Sequence, residues 1–191
     1  MNIVLASASP RRKELLQRLT TNFKIIASNF DEDSIKYDGD VCEYVCTLAQ
    51  KKAEDILREV QEHSLIIGCD TIVFYKGNIL GKPIDEEHAY SMLKMLSGNT
   101  HYVYSAIVLI DSSSKEIKKT CVCTEVKFMH LTDDMINKYI GSREPFDKAG
   151  AYGIQDNGAI FVESIKGCYY NVVGLSINRL YSMFEEMGVN L

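Results

Sequence analysis

The 191-residue sequence lacks any apolar run that approaches the roughly 20 residues needed to span a membrane. It also lacks a secretory signal, because the apolar stretch in MNIVLASASPRRK is short and its basic residues follow that stretch instead of preceding it. Internal repeats, low-complexity tracts and Pro/Gly-rich linkers are absent as well. These absences predict a cytoplasmic globular protein with one domain over residues 1–191, or two tightly joined lobes that share a cleft.

Positive charge is also in short supply, since the formal net charge is -5. A non-specific nucleic-acid binder normally shows a basic balance and a basic face with aromatic side chains, and neither is seen here. The negative balance does not exclude a small anionic ligand, because a few lysines and arginines gathered in one place can override it locally.

Cysteine patterns typical of metal or redox sites are missing too. No C-x-x-C pair occurs, and no Cys/His spacing fits zinc. With no secretory signal, we expect the cysteines to be reduced thiols, mostly buried as small hydrophobic residues. There are six of them: Cys42, Cys46, Cys69, Cys121, Cys123 and Cys168.

What is present is a mixture of strand and helix patterns along the whole chain, which predicts an α/β fold with a mixed sheet and flanking helices. A Gly-rich loop is expected over residues 144–158. Strands are predicted at 1–6, 23–27, 65–74, 79–80, 102–110, 116–128 and 159–165, and helices at 9–19, 41–60, 86–96, 132–140 and 172–187.

The opening of the first predicted helix has an unusual charge. Ser9 is a good N-cap, yet Arg11 and Arg12 follow in the first turn, where cations oppose the helix dipole. The arrangement makes sense if an anion such as phosphate lies over the helix N-terminus, bound by backbone N–H groups, Ser7, Ser9 and both guanidinium groups. The alternative is a solvated pair of arginines.

Two charged residues fall where apolar ones are expected. Lys52 lies in the middle of the apolar stripe of the helix predicted at 41–60, so it is either paired, directed to a cleft, or snorkelling to the rim. Asp70 interrupts an apolar strand, and a buried carboxylate is costly unless it is paired, hydrogen-bonded or bound to metal. It is a candidate for acid-base work, with a structural role in holding a loop as the alternative.

Three further segments are candidates on composition. Lys82 stands beside a glycine at the end of a strand, and Pro83 in place of Ser or Thr excludes a P-loop. The Gly-rich stretch 144–155 could contact a ligand through Lys148 and Gln155, although an ordinary connecting loop has the same composition. Glu32 lies in an acidic run that a divalent cation could use, although such runs usually face solvent.

Eight motifs in order resemble those of the Maf, or septum-formation-inhibitor-like, nucleotide pyrophosphatases. The resemblance covers nearly the whole chain. Each motif is weak alone, and the ordered set is specific. The motifs are LASASPRRKELL (5–16), FDED (30–33), LAQKKA (48–53), IIGCDTIV (66–73), LGKP (80–83), MLKMLSGNTH (92–101), EPFDKAGAYGIQ (144–155) and NVVGL (171–175).

The resemblance implies a mixed-sheet fold like that of inosine triphosphatases, with two lobes around a cleft. It implies hydrolysis of a nucleoside triphosphate between the α and β phosphates, dependent on Mg²⁺ or Mn²⁺, and a homodimer. The residue matching Asp70 is the proton acceptor in the family, and Arg12, Thr71 and Gln155 match residues associated with substrate choice. We hypothesise that Glu32 and Asp70 hold the metal while Lys52 and Lys82 stabilise charge on the phosphates.

Thr71 and the segment YGIQ resemble the branch that acts on dTTP and UTP. The branch that acts on 7-methyl-GTP carries glutamine where Thr71 stands. Three positions depart from the family pattern: Ser176 replaces a proline, Asn157 a glycine, and Cys69 an alanine or serine. None of these removes a proposed catalytic group.

An alternative function, from a different class of protein, is that of a non-catalytic, nucleotide-binding regulator of cell division or septum formation. A pure binder has no need of a buried carboxylate such as Asp70 beside bound phosphates, because the two would repel each other. The set of charged residues therefore favours the enzyme.

Overall fold

A computed structural model describes residues 1–189 of the chain. Two-residue and three-residue strands flank the longer ones, and short 3-10 turns occupy much of 144–161. The strands are β1 (Asn2–Leu5), β2 (Lys24–Ile25), β3 (Ser64–Tyr75), β4 (Asn78–Leu80), β5 (Thr100–Asp111), β6 (Ile117–Phe128) and β7 (Val162–Lys166). The helices are α1 (Pro10–Gln17), α2 (Val41–Leu57), α3 (Glu86–Leu96), α4 (Asp133–Gly141), α5 (Tyr169–Val173) and α6 (Ile177–Glu186).

The strands form a mixed sheet in the order β2-β1-β3-β5-β6-β7, with β4 paired to β3. β1 runs parallel to β2 and β3, whereas β3–β4 and β6–β7 are antiparallel. The predicted hairpin is present, because Lys76 and Gly77 both adopt positive φ, as the tight turn between β3 and β4 requires. The α/β class with a mixed sheet is therefore confirmed.

The chain divides into two compact units. The first comprises Met1–Asp70, Ser105–Val122 and the chain from Gly174 to the last described residue. The second comprises Thr71–Tyr104 and Cys123–Val173. The single domain over 1–191, whose last two residues lie outside the described part, and the cleft between two lobes both stay predictions.

In the first unit, α2 packs closely against β3 because both present small residues at the contact. Ala49 and Ala53 are fully buried on α2, and Gly68 faces them from β3. A Cβ atom at Gly68 would overlap the carbonyl oxygen of Ala49 and lie 2.9 Å from the Cβ of Ala53. Gly68 therefore sets how near Lys52 on α2 comes to Asp70 on β3.

In the second unit, an aromatic cluster fills the core. The ring of Phe128 makes edge-to-face contacts with His101, Tyr152 and Phe161, at centroid distances of 4.9, 4.7 and 5.9 Å. The Nε2 atom of His101 lies 2.8 Å from the Tyr152 hydroxyl, and His101 is fully buried. This cluster fixes the chain just before Gly153, at the centre of the Gly-rich stretch.

Several sequence predictions were wrong. The closing helix predicted at 172–187 is two helices, because Gly174 adopts φ +123° between α5 and α6. The last strand begins at Val162, since Asn157–Phe161 forms a 3-10 turn. The cysteines are free thiols, but only Cys46 and Cys69 are buried, because the others lie at the exposed start of α2, on β6 or after β7.

None of the helices within residues 1–189 has both the length and the apolar character that crossing a membrane requires.

Candidate active site

Lys52 joins two carboxylates of the first unit. Its Nζ lies 2.5 Å from Oδ1 of Asp70 and 2.9 Å from Oε1 of Glu32. The side chains of Lys52 and Asp70 are 13% and 7% exposed, whereas that of Glu32 is half exposed. Lys52 is therefore paired and not snorkelling to solvent, and the structure brings together three of the residues that the sequence singled out.

Opposing effects act on the pKa of Asp70 in this cluster. Burial raises the pKa of the Asp70 carboxyl above its ordinary value, while the charges of Lys52 and Arg12 lower it. The Glu32 carboxylate raises it further. A carboxylate balanced in this way can exchange a proton when a ligand adds negative charge nearby, which is the property acid-base catalysis needs.

The opening of α1 has the geometry that the sequence predicted. Ser9 is the N-cap, and its Oγ accepts a hydrogen bond from the backbone N–H of Arg12 at 3.5 Å. No acidic residue occupies the first turn, and both Arg11 and Arg12 are half-buried. The Arg12 side chain donates from Nη1 to Ser7 Oγ at 3.2 Å and from Nε to the Gly174 carbonyl at 3.0 Å. Arg12 is thus held by the protein itself, so the solvated alternative is wrong for this residue.

The donor set of the cluster suits a hard divalent cation. Two carboxylates, those of Glu32 and Asp70, both lie within 2.9 Å of the Lys52 ammonium nitrogen. Mg²⁺ commonly binds through one or two carboxylates, with water and substrate phosphates completing its shell. Within residues 1–189 no group of three or more His, Cys, Asp or Glu side chains is arranged to hold a metal ion. The residues therefore fit a metal that is shared with a phosphate ligand, and not one caged by protein alone.

The remaining candidates lie in the second unit. Lys82 is exposed and follows β4. The Gly81 carbonyl before it accepts a hydrogen bond from the backbone N–H of Gly150 at 3.0 Å. Gly150, at φ +68°, leaves no room for a Cβ atom against Val73, which lies two residues after Thr71 on β3. Through these contacts the Gly-rich stretch lies against β3 near Thr71 and against the chain just before Lys82.

The Gly-rich stretch is internally braced. Lys148 is only 8% exposed, and its Nζ donates to the Glu144 carbonyl and to Asp147, both at 2.8 Å. Asn157, a departure from the family pattern, donates from its backbone and its side chain to the Glu144 carboxylate. Gln155 is exposed at a bend. Lys148 shapes this stretch, and its predicted contact with substrate stays a prediction, as does that of Gln155.

Sequence reasoning missed two residues near the first-unit cluster. Burial and the charges of Asp70 and Glu32 raise the pKa of the Tyr44 phenol, so this ring lies within electrostatic range of the two carboxylates. Nothing in the sequence distinguishes Tyr44 from the other tyrosines of the chain. Gly174, which supplies a carbonyl to Arg12, had a signal: an isolated glycine inside a helical pattern, followed two residues later by a serine.

The chain belongs to the Maf-like protein family, whose family model matches residues 2–187. It is 56% identical to a Clostridium novyi protein named dTTP/UTP pyrophosphatase, over 191 residues that cover 100% of both chains. It is 54% identical to a Clostridium tetani protein of the same name, again with 100% of both chains covered. The resemblance drawn from the sequence motifs is therefore confirmed.

Solved structures that resemble the chain are more distant. One is the Staphylococcus aureus Ham1 protein, with TM-score 0.49, 15% identity, and 98% of this chain and 100% of that chain covered. Another is a nucleoside-triphosphatase, dITP/XTP pyrophosphatase, from Mycobacterium abscessus, with TM-score 0.43, 14% identity, and coverage of 69% and 76%. Both scores are below 0.5, so the fold class rests on the strands and helices of the chain itself.

Proposed function

We propose that the protein hydrolyses dTTP and UTP, and modified pyrimidine nucleoside triphosphates, to the monophosphate and pyrophosphate. The observation that carries the proposal is the cluster of Lys52, Asp70 and Glu32, in which the Lys52 ammonium joins the buried Asp70 carboxylate to the half-exposed Glu32 carboxylate. Family membership and the names of the relatives support the same reaction.

In this reaction a water oxygen bonds to phosphorus, the anhydride bond between the α and β phosphates breaks, and pyrophosphate leaves. Asp70 orients the water and accepts its proton, since its pKa is raised by burial and is sensitive to nearby charge. Lys52 keeps Asp70 in place and neutralises charge that develops on the phosphates.

The opening of α1 contributes the phosphate contacts. Arg12, with its guanidinium already held by Ser7 and Gly174, stabilises anionic oxygens of the phosphate chain. Ser9 and Arg11 add further contacts there. Lys82 is proposed as another phosphate ligand because it is exposed directly after a strand.

A divalent cation, Mg²⁺ or Mn²⁺, is proposed as the cofactor, with Glu32 and Asp70 as its protein ligands. When bound, such an ion screens the negative charge of the phosphate chain. Glu32 suits this role because its side chain is half exposed and sits beside the buried pair.

Base recognition is proposed for Thr71 and Gln155. An amide side chain such as that of Gln155 both donates and accepts hydrogen bonds, which matches the edge of a pyrimidine. Gln155 lies between Lys148 and Asn157, which both donate hydrogen bonds to Glu144. A homodimer is proposed by analogy with the family, and a cytoplasmic location is proposed as well.

Pyrophosphate release from a panel of nucleotides tests the proposal. Purified protein would be given dTTP, UTP, CTP, GTP, ITP or 7-methyl-GTP with Mg²⁺ or Mn²⁺, and a metal-free reaction would serve as the control. Release from dTTP and UTP ahead of the others is expected. Release only from a purine nucleotide would overturn the roles of Thr71 and Gln155, and binding without any release would favour a nucleotide-binding regulator.

A further inference from the structure

The helical segment near the C-terminus is interrupted at a buried position. α5 ends at Val173 and α6 begins at Ile177, and Gly174 between them adopts φ +123°. Residues other than glycine rarely adopt that backbone conformation. Leu175 and Ser176 are 0% and 4% exposed, so the interruption is packed into the protein and is not a loose surface turn.

The interruption turns a carbonyl group toward a distant part of the chain. The Gly174 oxygen accepts a hydrogen bond from Nε of Arg12 at 3.0 Å, although the two residues are 162 positions apart. On another edge of the same guanidinium, Nη1 donates to Ser7 Oγ at 3.2 Å. Ser7 is itself buried, and its Oγ accepts the backbone N–H of Ser9 at 3.3 Å.

We propose that Gly174 is a positioning residue for Arg12: its left-handed backbone aims a carbonyl that presets the guanidinium for the phosphate chain of the nucleotide. The inference rests on the proposed function. A guanidinium held before the ligand arrives loses less side-chain entropy on binding, which strengthens the interaction. An L-residue at this position strains the backbone and turns the carbonyl away from Arg12.

Gly174 could instead serve only to let the chain turn between two helices. The two roles differ in how the effect of a substitution depends on Arg12. If Gly174 acts through Arg12, its replacement has no further effect on ligand binding once Arg12 is removed. If it serves only the turn, the loss is the same whether Arg12 is present or not.

The experiment is a double-mutant cycle in which the equilibrium binding of α,β-methylene-dTTP is measured. This analogue cannot be hydrolysed between its α and β phosphates. Gly174→Ala and Arg12→Ala are each expected to weaken binding roughly tenfold, and the double variant no more than either. Gly188→Ala is the matched control, because Gly188 also has positive φ and a Cβ atom there meets nothing within 4 Å. That control should bind as the unaltered protein does.

A second pair of variants separates backbone conformation from added bulk. Because residue 168 is a cysteine, a synthetic peptide that begins there can be joined to the preceding part of the chain by native chemical ligation. The peptide carries either L-alanine or D-alanine at position 174. D-alanine favours positive φ, so it should restore binding to within about threefold, whereas L-alanine should not. Equal losses for both, or additive losses in the cycle, would overturn the inference. Failure of the unaltered protein to bind the analogue would instead overturn the proposed function together with it.

Discussion

The ammonium nitrogen of Lys52 lies 2.5 Å from a carboxylate oxygen of Asp70, and both side chains are largely removed from solvent. The pair joins α2 to β3 at a point where Gly68 and two alanines bring the backbones together. It stabilises this contact, and it also supplies opposite charges beside the proposed water.

Replacing Lys52 with methionine is expected to lower kcat at least about tenfold, because charge on the phosphates loses a partner. It should also lower the free energy of unfolding by about 2 kcal/mol, since Asp70 would be left buried without that cation. Lys51→Met is the matched control, because Lys51 is 45% exposed and pairs with Glu54. A change within about 0.5 kcal/mol is expected there. Similar losses in both variants would contradict the role of Lys52.

Replacing Gly68 with alanine should separate α2 from β3, because the added methyl group overlaps the Ala49 carbonyl oxygen. The expected cost is about 1–3 kcal/mol of unfolding free energy, with a parallel loss of activity. Gly141→Ala, where a Cβ atom meets nothing within 4 Å, should be neutral or slightly stabilising. Urea denaturation of the unaltered protein and of the two variants measures the change in unfolding free energy for each substitution. Unchanged stability for Gly68→Ala would contradict the close approach.

Replacing Gln155 with glutamate should reduce discrimination among bases more than it reduces overall rate. The amide loses its donor, and the new charge favours no pyrimidine in particular. The measurement is kcat/KM for dTTP, UTP, CTP and GTP. Gln61→Glu adds the same charge at another exposed position and should leave the ratios unchanged. An equal loss for every nucleotide would argue against a base contact.

Acid should destabilise the protein through His101. Burial lowers the pKa of this imidazole to about 3, whereas an unfolded histidine has a pKa of about 6.5. Between these values the unfolded state binds more protons, so stability falls as pH drops, by about 2 kcal/mol from His101 between pH 7 and pH 5. Urea denaturation at both pH values measures this.

His101→Gln serves as the test variant for that titration. It loses stability at pH 7 because contacts with Phe128 and Tyr152 are removed, but its stability should change less with pH. His130→Gln, at an exposed ring, controls for the loss of one histidine. If the unfolding free energy of His101→Gln falls with pH as steeply as that of the unaltered protein, His101 is not the group responsible.

Much of the fold could be predicted because the local signals agreed with the packing. The hairpin signal at Gly77, the caps Ser9 and Thr132, and the apolar periodicity of α2 all correspond to the observed elements. Lys52 and Asp70 were detectable because each breaks an apolar pattern. What failed depended on contacts distant in sequence. The isolated glycine at position 174 could have signalled a helix end, but nothing local shows that its carbonyl accepts a hydrogen bond from Arg12.

The products formed from dTTP by the unaltered protein and by Asp70→Asn show whether the protein cleaves the bond between the α and β phosphates and whether Asp70 is needed for it. Ion-exchange separation should show dTMP and pyrophosphate in equal amounts from the unaltered protein. The variant should keep its fold and lose at least about a hundredfold in rate. Asp134→Asn, at an exposed position of α4, should leave the rate unchanged. Formation of dTDP and phosphate would show that another bond is cleaved, and near-normal turnover by Asp70→Asn would show that Asp70 is not the proton acceptor.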